Sequence, residues 1–527
     1  MLSDAEKGAS SSSSAESATR LSKEDIRVVQ VELEDEDENA GVQIYNPDVD
    51  VSGVDERKLM RKVDIRLVPW LSFLFLLSFL DRTAVGNARL YGMETDLHIS
   101  DQQYLIALTV FYFPYAFFEV PSNVVLKRLR PSLWLSFLML CWGVIMTVQG
   151  LVHDYSGFVT IRFFLGAFEA GLFPGVTYLL SCWYKRSEFG LRAAVFFSAA
   201  TVAGAFGGLL AAGLSQMEGV GGKSGWSWIF IIEGLVTVVA GVLSFWLVQD
   251  FPDTATFLTE EERTLIVRRL QEDGQFSAAG ETLKLDSLVK ALVDWKTWIG
   301  MAIYMGSEGP LNAIALFLPS IVDELGYTAT PANLLTVPVY VLACIFTCLV
   351  GYWADRYGGR GYFNIGFLCL AGVGYIILIS SRNAGVSYFA TYLVACGIYP
   401  TVPNIVAWVS SNVEGSYKRS VALGMVISFG NLQGAVSSNV YRAQDAPWYT
   451  LGHGILLIYI GIGLSTSTAL ILYLRKENIK RDRGEMDEII KGVNEDRVDL
   501  IKNGTFASIN DARREKGDEW SRYRYRW

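Results

Sequence analysis

The sequence predicts an all-α integral membrane protein, with twelve transmembrane helices in two six-helix lobes around a central cavity. Composition is the first reason: 51% of the 527 residues are hydrophobic and 13% aromatic, and mean hydropathy is positive at +0.29. Such values exclude a soluble multidomain chain. The second reason is a recurrence of apolar segments, each near the ~20 residues that cross a hydrocarbon core. They fall near 66–88, 103–126, 132–152, 157–181, 192–215, 227–249, 297–322, 332–354, 362–380, 386–410, 420–440 and 451–475. The third is their grouping into six, a polar linker and six more, the organisation in which related halves pack about a shared midplane site. The expected layout is an acidic tail (1–60), a first lobe (61–249), a linker (250–296), a second lobe (297–475) and a C-terminal tail (476–527).

Charge fixes how these elements face. The net charge of −9 is concentrated outside the spans, notably in Glu32-Leu33-Glu34-Asp35-Glu36-Asp37-Glu38. With the serine run at 10–14, this tail has too little apolar surface to offset the entropy of ordering and is expected to be disordered. The first apolar run starts past residue 60 and is too long for the core of a cleavable signal peptide, so it is expected to insert the chain itself. One set of alternate loops carries Lys127, Arg128, Arg130, Lys185, Arg186, Arg192, Arg356, Arg360, Lys418 and Arg419, while the other has only Lys223, Arg382 and Arg442. The basic set is assigned to the cytosol, together with both termini and the linker. In the linker, Thr259 and Glu262 have capping-box spacing ahead of an amphipathic stretch, which predicts a surface helix under the membrane. The sequon at Asn503 then lies on the cytosolic side and should stay unglycosylated. All six cysteines fall in or beside spans, as small apolar packing groups rather than a disulfide framework. No metal site, cofactor or nucleic-acid partner is expected, and the default assembly is a monomer in the plasma membrane.

Four ionisable residues sit where lipid should be the solvent: Asp81, Arg82, Arg162 and Glu169. Each mid-membrane charge costs roughly 2.5–3.5 kcal/mol, so about 10 kcal/mol would be spent on decoration if they did no work. Arg162 and Glu169 are seven residues apart, on one helix face and about 10.5 Å apart along the axis. Asp81 and Arg82 are neighbours, about 100° apart, and cannot both aim at one spot on a regular helix. Gly86, Pro174 and Gly175 are candidate places for bending. The glycine-rich stretch Gly204 to Gly213 is expected to allow close helix packing.

Motifs along residues 60–480 resemble a known family. Gly351-Tyr-Trp-Ala-Asp355-Arg356-Tyr-Gly358-Gly359-Arg360 is similar to the loop signature of the major facilitator superfamily, although the corresponding first-half segment 121–131 lacks both Gly and Asp. Asp81-Arg82-Thr83-Ala-Val-Gly86-Asn87-Ala88-Arg89 resembles the first-span signature of the anion:cation symporters, in particular the fungal allantoate-permease branch. So do Arg162 to Gly175, Trp226 to Gly234, Asn412 to Arg419 and Gly430 to His453. Ala84 stands where that branch commonly has Asn. The resemblance implies proton-coupled import of a small organic anion such as allantoate, nicotinate, pantothenate or biotin. It implies anion-binding roles for Arg82 and Arg162, proton coupling by Glu169 and Asp81, and a loop clamp at Asp355, Arg356 and Arg360.

Charge counting gives the same mechanism physically. Two arginines and two carboxylates make a near-neutral site, and arginine does not lose its proton, so the carboxylates titrate. An anion that takes an arginine's fork leaves a carboxylate without its partner and beside a like charge, which favours proton uptake. Anion and proton should then bind together, the proton gradient being the driving force. Glu308, in Gly306-Ser307-Glu308-Gly309-Pro310, falls where a broken seventh helix could line the cavity, as a further substrate or proton group. Asn312, Tyr399, Asn404 and Asn431 are candidate substrate contacts. A drug efflux antiporter would share the fold, but paired arginines favour anions. A sensor that no longer transports is the other alternative, given the long tails. No nucleophile and base pair or nucleotide loop suggests an enzyme.

Overall fold

The computed structural model describes residues 45–185, 187–272, 289, 291–326, 329–414, 416–491 and 498–527. The acidic and serine-rich runs of the N-terminal tail lie outside them. The first lobe is built from Glu56–Leu90, Asp101–Arg128, Pro131–Gln149, a fourth span in two pieces (Tyr155–Glu169 and Leu172–Ser181), Phe189–Leu214 and Gly225–Leu247. The second is built from Trp295–Glu324, Ala329–Tyr357, Arg360–Ser380, a tenth span in two pieces (Ala384–Ile398 and Thr401–Ser411), an eleventh in two (Ser416–Asn431 and Gln433–Ser437), and Thr450–Asp482.

Among the described residues, eleven spans are long and apolar enough to cross a membrane. The seventh, Trp295–Glu324, has the length at 30 residues but carries Lys296, Ser307, Glu308 and Asn312, all buried. A helix enclosed by its neighbours need not be greasy, because protein rather than lipid solvates it. Despite Pro310 and Pro319 it runs as one helix, so the break expected there is absent. Gly306 instead admits the backbone of the twelfth span, since a Cβ there would come 2.5 Å from Gly463 Cα.

Besides the interruption at Leu432 in the eleventh span, breaks lie in the fourth and tenth spans, which occupy equivalent places in the two halves. Asp154 caps the fourth through Gly157 N and Asn383 caps the tenth through Gly385 N and Val386 N. The fourth breaks at Ala170-Gly171, directly after Glu169, where a side chain on Gly171 would overlap Ser122 of the second span. The bend is therefore not at Pro174-Gly175. Pro174 lies in the first turn of the new segment, where its missing N–H costs nothing. The tenth breaks at Tyr399-Pro400 for the ordinary reason that proline removes a helical bond.

The lobes meet chiefly along two helix pairs. Gly204 of the fifth span lies against the Tyr340 ring of the eighth, where a Cβ would come 2.8 Å from the ring. The second and eleventh spans run antiparallel: Asn123 faces Gly424, Tyr112 faces Gly434, and Thr109 bonds Ser438 (3.2 Å) and Asn439 (2.8 Å). Small residues on the eleventh span let the backbones approach closely.

At the end bearing the basic loops, the linker helix Glu260–Glu272 carries the expected capping box, with Thr259 N donating to Glu262 (3.0 Å) and Glu262 N to Thr259 (3.3 Å). It packs on protein: Ile266, Val267 and Leu270 are buried, Lys62 pairs with Glu262 at 2.6 Å, and Arg269 pairs with Glu56 at 2.5 Å and also with Glu188.

The twelfth helix continues to Asp482, past the expected end at 475. Residues Gly517–Trp527 are not a free tail, for they dock on the second lobe. Asp518 is clamped by Lys296 (2.5 Å) and Lys418 (2.7 Å), each of which also reaches Asp294. Trp408 and Asn412 both donate to the Arg526 carbonyl at 2.8 Å, and Asn478 donates to the Tyr525 carbonyl at 2.9 Å. The described residues 488–491 and 498–516 belong to a separate small unit with a two-residue parallel pairing, Ile489–Ile490 with Thr505–Phe506, and a Lys516 to Glu488 ion pair of 2.7 Å.

Candidate functional site

Arg82 and Glu169 meet between the first and fourth spans. Arg82 Nη2 lies 2.7 Å and Nε 3.2 Å from Glu169 Oε1, which also accepts from Ser78 Oγ at 2.8 Å. All the donors crowd one oxygen, while Oε2 is buried without a hydrogen-bond partner among the described residues. The pair is sealed from solvent, with side-chain exposures of 8% and 0%.

Aromatic rings frame the Arg82 guanidinium: Tyr115 at 5.1 Å, Phe111 at 5.7 Å and Phe79 at 5.9 Å. Arg162 shares this frame, lying 4.8 Å from the Phe111 ring. It is 1% exposed, yet its Nε and Nη1 have no hydrogen-bond partner among the described residues. A buried guanidinium with unused donors is costly by itself, and an anion is the chemical group that can satisfy it.

Asp81 does not join this group. As the 100° offset requires, it turns into the first lobe, where Oδ2 accepts from Trp142 Nε1 (2.7 Å) and Thr237 Oγ1 (3.0 Å). Its acidic neighbour there is Glu233, whose two oxygens are buried and unbonded among the described residues. The four charges expected to share one chamber thus hydrogen-bond in two places, with Asp81 still in the electrostatic range of Glu169.

Second-half candidates are also divided. Glu308 is buried beside Asn312, which donates to its Oε1 at 3.3 Å, and lies in the electrostatic range of Arg82. Tyr399 is buried with its ring edge-on to Tyr340 at 5.9 Å. Asn431 faces Glu119 of the second span. Asn404 is elsewhere: it donates to Asn364 Oδ1 (2.8 Å) and the Arg360 carbonyl (2.9 Å), and so belongs with the signature loop. There Arg360 pairs with Asp355, and Asp355 Oδ2 accepts from Leu191 N of the fifth span at 2.5 Å, tying the lobes together at the basic end. Arg356 stays outside that clamp, donating to the Tyr352 hydroxyl at 2.9 Å on the surface.

From the sequence Glu119 was not singled out and Glu233 entered only as part of the motif Trp226 to Gly234, although both are carboxylates inside apolar runs. The insertion-cost criterion that selected Glu169 selects them equally.

The comparisons with known proteins agree with this architecture. The family profile of the Major Facilitator Superfamily matches residues 71–438. The chain belongs to the major facilitator superfamily. A relative named MFS-type transporter cnsO, from Penicillium expansum, is 37% identical over 451 residues, covering 83% of this chain and 87% of the relative. The High-affinity nicotinic acid transporter of Saccharomyces cerevisiae is 32% identical over 427 residues, covering 81% and 79%. Among solved structures, the proton:xylose symporter XylE matches with a TM-score of 0.62 at 15% identity, over 79% of this chain and 95% of that one, a likeness of fold alone. Fold and relatives together identify a multi-pass membrane transporter of this superfamily.

Proposed function

We propose that this chain is a secondary active transporter that brings a small organic anion into the cell together with protons, by alternating access. The substrate class is a carboxylate such as a vitamin or an allantoate-like ureide. Arg162 carries this reading: a buried guanidinium, with two unused donors, shares an aromatic frame with an arginine already bound to a carboxylate. An anion entering there takes the free donors of Arg162 and competes with Glu169 for Arg82. Glu169 then loses a cation and gains a like charge, and both changes favour its protonation. The nicotinic acid transporter among the relatives supports a carboxylate, and the basic loops support termini in the cytosol of a plasma membrane protein.

The test is uptake of radiolabelled nicotinate, and of competing small carboxylates, by cells expressing the chain. Uptake should increase as external pH falls and be lost in Arg162→Gln. Uptake that ignores pH and survives Arg162→Gln would remove the proposal.

A further inference from the structure

Glu119 lies on the antiparallel contact between the second and eleventh spans, one helical turn from the rung formed by Asn123 and Gly424. It is wholly buried, at 0% exposure. Both of its oxygens, and Ser428 Oγ opposite, lack a hydrogen bond among the described residues, although Ser428 and Asn431 are the polar groups it faces. The remaining charged or titratable groups around it are Tyr115 on its own helix, Tyr304 and Glu308 on the seventh span, and Arg82. Arg82 is bound to Glu169 and is not available to it.

We infer that Glu119 is a protonation-dependent latch between the two lobes. As the neutral acid it can donate to Ser428 Oγ or to the Asn431 amide oxygen, so the helices stay closed. As the carboxylate it can accept from Ser428 and Asn431, but with no bonded cation it stays a buried net charge, which separation of the helices and entry of water relieves. Depth sets the direction. Glu119 lies nine residues before Arg128, about 13 Å from the basic end, while Glu169 lies twelve before Ser181, about 18 Å away. Water reaching Glu119 from the basic end takes its proton, and the ionised group holds that side open. Reprotonation allows closure. The proton moves from the carboxyl to water and back, with no other bond made or broken. This deepens the symport reading by placing the release step at a lobe interface.

Hydrogen exchange of the purified full chain tests the latch without any substrate, so its outcome does not depend on which anion is carried. Exchange of residues 419–431, corrected for the intrinsic rate, would be compared between pH 5.5 and 8. A single titrating group changes the open population by up to roughly tenfold per pH unit within its range. Wild type should show a rise of that kind, Glu119→Gln should keep the low-pH level throughout, and Glu119→Asp should restore the response. The latch is overturned if wild type shows no rise, or if Glu119→Gln responds as wild type does. Should Glu119→Gln fail to fold, the wild-type and Glu119→Asp profiles decide: a rise in both supports the latch, and its absence from either overturns it.

Discussion

Replacing either site arginine by methionine removes one positive charge, but the structure predicts unequal effects on stability. Arg82→Met leaves Glu169 buried with Ser78 as its remaining donor among the described residues. Breaking a buried ion pair in this way costs about 3–5 kcal/mol. Arg162→Met removes two buried donors that have no partner among the described residues, each worth about 1–3 kcal/mol of desolvation. Against this stands the lost contact with the Phe111 ring, about 2 kcal/mol at most when desolvated. The net change for Arg162→Met is near zero or stabilising by up to roughly 4 kcal/mol, which separates the variants by about 3 kcal/mol or more. Thermal unfolding of the detergent-purified protein measures this directly, at about 2–4 °C per kcal/mol for a unit the size of one lobe. Nicotinate should raise the midpoint of wild type but not that of Arg162→Met. Equal losses of stability in the two variants would mean that Arg162 is a packing residue like any other, and the anion-site argument would fail.

Three further outcomes are expected. Glu169→Gln should retain exchange of labelled for unlabelled substrate while losing accumulation against a gradient. If the variant accumulates substrate with unchanged pH dependence, the coupling role is wrong. Burial alone would raise the Asp518 carboxyl, but the Lys296 and Lys418 ammonium groups outweigh it and hold it below its ordinary value of 3.8. Its contribution is therefore complete above that value and lost as pH falls below it. Asp518→Asn should be less stable than wild type at neutral pH by a few kcal/mol and show a flatter acid limb, read by unfolding midpoints from pH 3 to 7. Gly434→Ala places a methyl group into the Tyr112 ring across the lobe interface and should reduce transport at least tenfold at normal surface expression; wild-type rates would show that this contact opens freely.

Much of the architecture was legible because membrane solvation leaves a coarse signature, namely long apolar runs whose ends carry a biased lysine and arginine count. The pairing of Arg82 with Glu169 was foreshadowed by cost, since charges in lipid need partners. The separation of Asp81 from Arg82 followed from helix geometry. Side-chain destinations set by other elements were not readable. Asn404 has the composition of a substrate contact, but its neighbour is Arg360, contributed by a segment 44 residues earlier. The break in the fourth span depends on Ser122 approaching Gly171, which no local signal at Pro174 reveals. Residues 517–527 are polar and basic enough to suggest a solvated tail, and their docking depends on lysines more than 99 positions away.

The docked segment Gly517–Trp527 bears on how the molecule can move. By fastening Lys296, Trp408, Lys418 and Asn478, it staples four helix ends of one half into a single block. Reporter pairs attached within that block should hold a constant separation through a transport cycle, while pairs that straddle the two halves should not. Cutting the staple should make the first kind of pair begin to vary.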